Sequence, residues 1–156
     1  MKKDKIKIFF GHCFYNEKRV KKYRDAVLRV FKDKSKYSVQ FGTKKSFQIY
    51  ENFFKEIKKL IRDAKYCIFD LIGYDPQKSK LNLNVLLELG VSIGANKKYY
   101  FLSAKSGKCK KLSEEITDIR KDYMPTYKKG NIRSLTRELK DIKTKIDEYW
   151  KARHYK

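Results

Sequence analysis

The chain has 156 residues, of which 41% are hydrophobic and 15% aromatic, enough to bury a real core and too many for an intrinsically disordered segment. Its net charge of +22 points first to polyanions, but the excess is carried mainly by lysine and is spread along the whole chain, so most of it reads as a solvated surface and the rest as a preference for anionic ligands such as nucleotides. No apolar run approaches a membrane span, and three widely spaced cysteines (Cys13, Cys67, Cys109) with two histidines (His12, His154) argue against a disulfide frame and against a protein metal site.

Short extended runs alternate with longer helical ones. Ile6-Lys7-Ile8-Phe9-Phe10 predicts a strand ending at Gly11. Residues 17–31 place Val20, Tyr23, Val27 and Val30 or Phe31 at helical spacing. Residues 37–41 predict a second strand, closed by Gly42, and residues 49–64 a second helix with Phe53, Ile57, Leu60 and Ile61 on one face. Tyr66-Cys67-Ile68-Phe69-Asp70-Leu71 predicts a third strand, buried on both sides. A third helix over 84–95 and a fourth strand over 98–103 follow. A short helix is expected over 112–120 and a short edge strand over 123–127, where Pro125 is tolerated. The last helix, 132–150, carries Leu135, Leu139, Ile142 and Ile146 on one face. This β-α-β-α-β-α-β order implies an α/β fold: a parallel, doubly wound sheet of four to five strands with helices on both faces, in one domain over 1–156. The N-terminus lacks the apolar stretch and cleavage site of a signal peptide, so the expected location is the cytoplasm.

Ligands of open α/β sheets bind outside the carboxyl ends of the strands. Three segments are expected to meet there: Gly11-His12-Cys13-Phe14-Tyr15-Asn16, Asp70, and the start of the third helix. That helix is the most informative stretch. From Leu83 to Ile93 its polar side chains are Asn84, Glu88 and Ser92, spaced i, i+4, i+8 and so on one face. No lysine falls between Lys80 and Lys97, so the helix is expected to be largely buried with one narrow polar seam. A carboxylate on such a seam is costly unless it faces a cleft or a partner, which makes Glu88 the leading catalytic candidate; the bland alternative is that it pairs with a buried lysine or caps a neighbouring loop. Gly90 and Gly94 read as close helix–sheet packing. The substrate-binding candidates are Gly11, His12, Cys13, Phe14, Asp70, Asn84 and Ser92. His12 is either a ligand or acid/base group or an ordinary loop histidine, and Cys13 reads as a small buried residue. Phe14 and Tyr15 either stack on a base or close the core, Asp70 contacts a ribose hydroxyl or caps a loop, and Tyr74 and Asp75 are weaker candidates. No P-loop, G-x-G-x-x-G or G-x-S-x-G motif is present.

Phe69-Asp70-Leu71 and the helix Asn84-Val85-Leu86-Leu87-Glu88-Leu89-Gly90-Val91-Ser92-Ile93-Gly94 resemble a pattern of nucleoside 2-deoxyribosyltransferase-like and TIR-like proteins, a strand ending in Asp followed by N-V-x-x-E-L-G-x-x-x-G. Phe9-Phe10-Gly11-His12-Cys13 resembles their opening strand and loop, and 113–127 resembles the tail that leads into a short strand and the final helix. The resemblance implies a flavodoxin-like fold and cleavage of an N-glycosidic bond, with Glu88 as the working carboxylate. Transferase members keep an aspartate six residues before the glutamate, where this chain has Asn82, which cannot donate a carboxyl proton. Breaking an N-glycosidic bond builds positive charge on the sugar, and an uncharged leaving base also needs a proton. Nicotinamide leaves NAD without one. The expectation is therefore a TIR-like protein that hydrolyses NAD as substrate, with no cofactor, in a prokaryotic defence or signalling role, and with self-association that completes the site. The alternatives are a deoxyribosyltransferase-like enzyme, a module that binds a nucleotide signal without cleaving it, and, on charge alone, a nucleic-acid-binding accessory protein.

Overall fold

A computed structural model describes residues 4–13, 17–42, 50–71, 82–105 and 125–154, the side chains of 50–53 and 154 excepted. Its elements are β1 (Ile6–Gly11), α1 (Glu17–Val30), β2 (Tyr37–Phe41), α2 (Tyr50–Asp63), β3 (Tyr66–Asp70), α3 (Leu83–Gly94), β4 (Lys98–Lys105), β5 (Thr126–Lys128) and α4 (Ile132–His154). The expected helix over 112–120 lies outside the described residues. The five strands are all parallel, in the order β2-β1-β3-β4-β5. This is the flavodoxin-like, doubly wound order.

The strand sequences explain their places. β3 is buried at every position and β1 at all but Lys7, as central strands covered on both faces should be. β2, at the edge, is half-buried from Ser38 onward. The last strand is Thr126–Lys128, and the expected strand residues 123 and 124 lie outside the described residues. Pro125 precedes it, and its carbonyl accepts from Ser103 N at 3.2 Å. Proline has no N–H for the ladder, so it sits just before the paired residues.

Helices α1 and α4 pack together on one face of the sheet, and α2 and α3 on the other. Tyr23, Val27, Leu135, Leu139, Ile142 and Ile146 are buried, matching the apolar spacings of α1 and α4. Each fully buried leucine or isoleucine contributes on the order of 2 kcal/mol.

Helix α3 departs from expectation. It is not covered all round: Leu83, Leu87 and Ile93 are 73%, 57% and 54% exposed, while Glu88 and Ser92 are buried. Its inward face mixes Val85 and Leu89 with the Glu88 and Ser92 end of the polar seam, while Leu83, Leu87 and Ile93 face outward. An apolar sequence all round cannot say which face meets the sheet. Gly90 and Gly94 do not pack against the sheet, since a Cβ at either would meet nothing within 4 Å among the described residues. Among the described residues, no helix is long and apolar enough to cross a membrane.

Candidate active site

Asn82 sets the start of α3. Its extended backbone (φ −90°, ψ 112°) precedes the helix, and its side-chain oxygen accepts from Asn84 N at 2.9 Å and Val85 N at 3.2 Å. This is an N-cap, and it satisfies two of the helix's otherwise orphan donors. With the first turn fixed, the seam runs inward. Asn84 is exposed, Glu88 is 6% exposed, and Ser92 is sealed from solvent.

The Glu88 carboxylate meets the end of β1. A Cβ on Gly11 would collide with Glu88 Oε2 and stand 2.7 Å from Phe69 Cδ1. Gly11 is therefore glycine because the carboxylate occupies the space a side chain would need. No lysine or arginine neutralises Glu88 among the described residues, and Oε2 has no hydrogen-bond partner among them. Burial pushes its pKa up to about 8, so the apo carboxyl is mostly protonated at neutral pH. The pairing with a buried lysine weighed from sequence is thus not seen among the described residues. At the foot of the seam the Ser92 hydroxyl stands beside the Cys67 thiol, too weak a partner to satisfy Ser92 Oγ. Burial raises that thiol to about 11, which keeps it protonated and a poor nucleophile.

His12 is fixed on both ring nitrogens. Nδ1–H donates to Cys13 O at 2.8 Å and Nε2 accepts from Arg24 Nε at 3.0 Å, a tautomer assigned from this network. Arg24 Nη2 also donates to Gly42 O at 2.9 Å, so one guanidinium ties the ends of β1 and β2 together. The imidazole packs against Tyr23 and Phe41, with ring centroids at 5.1 and 5.6 Å. Burial lowers its pKa to about 3; the Cys13 carbonyl opposes this and Arg24 adds to it. His12 therefore stays neutral at physiological pH, with both ring nitrogens engaged within the protein. It orders the 11–13 segment. Arg24 was not legible as a site residue, because an arginine on a lysine-rich amphipathic helix looks like any surface cation.

Asp70 does not join Glu88. Phe69 lies beside Gly11 on the α3 side of the sheet, and successive side chains of a strand point to opposite faces. Asp70 is accordingly turned to the α1 side, sealed from solvent. Its Oδ2 accepts from Tyr23 OH at 2.8 Å and Tyr127 OH at 2.6 Å, linking α1, β3 and β5. Burial first, then Asp70, raises the Tyr23 phenol well above 10, so it remains a donor. The expected meeting of three segments is thus reduced to two, the end of β1 and the α3 seam. Tyr23 and Tyr127 lie 47 and 57 residues from Asp70 in sequence, and no local pattern links them to it. Cys13 is buried. Phe14, Tyr15, Asn16, Tyr74, Asp75 and Cys109 lie outside the described residues.

No family model matches the sequence, and no curated protein is matched by it. Solved structures do match. A 2-deoxyribosyltransferase from Leishmania mexicana superposes with a TM-score of 0.56 at 18% identity, over 72% of this chain and 74% of that one. A CMP N-glycosidase from Clostridium botulinum gives a TM-score of 0.53 at 13% identity, over 85% of this chain and 97% of that one. At these identities the likeness establishes a shared fold.

Proposed function

We propose that this protein cleaves the N-glycosidic bond of a nucleotide, with Glu88 as the carboxylate that meets the positive charge developing on the sugar. The observation that carries this is Glu88 Oε2, which has no hydrogen-bond partner among the described residues and is buried in a space left open by Gly11 at the carboxyl edge of the sheet. A buried acid without a cation is unfavourable in the empty protein and is stabilised when a cation forms beside it. In the reaction the C–N bond breaks, its electron pair leaves with the base, and the sugar is left electron-poor. Glu88 stabilises or captures that centre, and water completes the hydrolysis.

The substrate we favour is NAD, with nicotinamide as the leaving group. Asn82 uses its side-chain oxygen as a helix cap, and Asp70 lies on the other face of the sheet. Among the described residues there is thus no second carboxyl beside Glu88 to protonate a neutral base. Nicotinamide needs no such proton, and the positive charge of its ribosyl linkage would draw Glu88 into its ionised form. The resemblance of Asn84–Gly94 to TIR-like proteins supports the same substrate and a defence or signalling role, with self-association completing the site.

A second reading has its own support in the fold shared with a deoxyribosyltransferase and a CMP N-glycosidase. Glu88, protonated at neutral pH, would hand its proton to a departing neutral base, and the carboxylate left behind would face the sugar. Incubation with NAD, CMP and deoxynucleosides, with chromatography of the released base, separates the two. Nicotinamide from NAD supports the first reading; cytosine, or exchange of bases, supports the second. Thermal stabilisation by a nucleotide with no turnover would instead make this a binding module.

A further inference from the structure

We propose that a cavity at the amino edge of the sheet is a second ligand site, for a nucleotide recognised through both its phosphate and its base. Tyr66 and Lys98, the first residues of β3 and β4, line it together with the last turns of α4. Helix α3 runs between this edge and the one that holds its N-cap, roughly 18 Å away along its axis. The cavity measures about 660 Å³, well within the range of small-molecule sites.

Its lining combines two chemistries. Lys65, Lys97, Lys98 and Arg153 supply positive charge, Lys97 with its ammonium already donating to Arg62 O, and Tyr66, Tyr149 and Trp150 supply aromatic surface. No carboxylate lines it among the described residues. Of the two acids of α4 that precede Tyr149, Glu148 is exposed and does not line the cavity, and Asp147 is engaged by Lys36 at 2.8 Å, Lys143 at 2.7 Å and the Tyr37 hydroxyl. Two of the positive groups meet at one ring: Lys98 Nζ lies 3.0 Å and the Arg153 guanidinium carbon 4.8 Å from the Tyr149 centroid. Tyr66 meets the same ring edge-on at 6.1 Å.

An anion placed among cations that share one lining is attracted by all of them, and no carboxylate lines the cavity among the described residues to compete with it. A guanidinium and two ammonium groups retain donors for phosphate oxygens even while they lie over a ring. Inorganic phosphate alone would leave the aromatic surface unused. A base attached to the phosphate would stack on it, and each such stack is worth about 1–3 kcal/mol in proteins that bind single strands. The shared chemistry is a nucleoside monophosphate unit, either free or as one residue of a single strand.

Trp150 is the one tryptophan of the chain, so it reports on this cavity directly. The full chain is titrated with inorganic phosphate, AMP and a short oligodeoxyadenylate while Trp150 fluorescence is followed. The proposal expects quenching by AMP and by the strand, with phosphate alone at least about tenfold weaker. Lys98→Glu with Arg153→Glu should weaken both by about tenfold or more, with an unchanged circular dichroism spectrum. Lys65→Glu serves as the second variant if that pair does not fold. AMP binding as tightly as the strand identifies a free nucleotide. A tighter strand with a steeper salt dependence identifies nucleic acid. The proposal is overturned if neither AMP nor the strand quenches, if charge reversal leaves quenching unchanged, or if inorganic phosphate binds as tightly as AMP.

Discussion

Replacing Glu88 with glutamine keeps the shape of the side chain and removes its ionisation, which isolates the cost of its burial. In the unfolded chain this carboxyl ionises near 4.5; in the folded chain it holds its proton up to about 8. Between those values the folded state binds one proton more than the unfolded state, so wild-type stability falls as pH rises. The slope from this group is about 1.4 kcal/mol per pH unit. Over the whole interval from 4.5 to about 8 the loss approaches about 5 kcal/mol, and above it the loss is constant. Glu88→Gln lacks this term, while every other titrating group is shared by the two proteins. Urea unfolding of both across pH 5 to 9 therefore gives a stability difference that grows in favour of the variant up to about pH 8 and then levels off. A difference independent of pH would show that Glu88 is not desolvated. A difference that moved toward the wild type with rising pH would show an ionised Glu88 held by a cation, and either result would refute the picture of an unpartnered acid.

Three further results follow from the same geometry. Gly11→Ala drives a methyl into Glu88 and Phe69 and should cost about 1–3 kcal/mol in urea unfolding, with part of the loss recovered when Glu88→Ala is added; strict additivity would contradict the contact. Tyr127→Phe removes one of two donors to a sealed carboxyl and should cost about 1–3 kcal/mol, and Asp70→Ala should cost more because it strands two buried phenols; a neutral Tyr127→Phe would mean that this hydrogen bond is not formed. His12 should show no proton NMR titration between pH 5 and 8. Because its folded value of about 3 lies below 6.5, its contribution is present above pH 6.5 and is lost as pH falls toward 3; a His12 midpoint near 6.5 would refute its burial.

Much of the fold was legible because its signals are local. The near-continuous apolar runs of β1 and β3 and the apolar faces of α1 and α4 fix element type and burial at once, and their alternation fixes a parallel sheet. The Asn84-Glu88-Ser92 seam was legible for the same reason, as a pattern within one helix. What failed depends on relations between elements. Which side of α3 meets the sheet is decided by packing, so Leu83 and Leu87 were misread as buried and Gly90 and Gly94 as contacts. The face to which Asp70 turns depends on strand phase, and its partners Tyr23 and Tyr127 are far away in sequence. Asn82 was read as a missing acid, and its positive role as the cap of α3 emerged only with the backbone in place. The basic excess also looked featureless in one dimension. Folding brings Lys65, Lys98 and Arg153 together around one aromatic cavity.

The central claim is that Glu88 works on an N-glycosidic bond. Its most direct test is the rate of base release from NAD, and from CMP in parallel, by wild type and by Glu88→Gln. Wild type should release base, and the variant should lose activity by a factor on the order of 100 to 1,000 while remaining folded and at least as stable at pH 7.5. Release at the wild-type rate by Glu88→Gln would contradict the account.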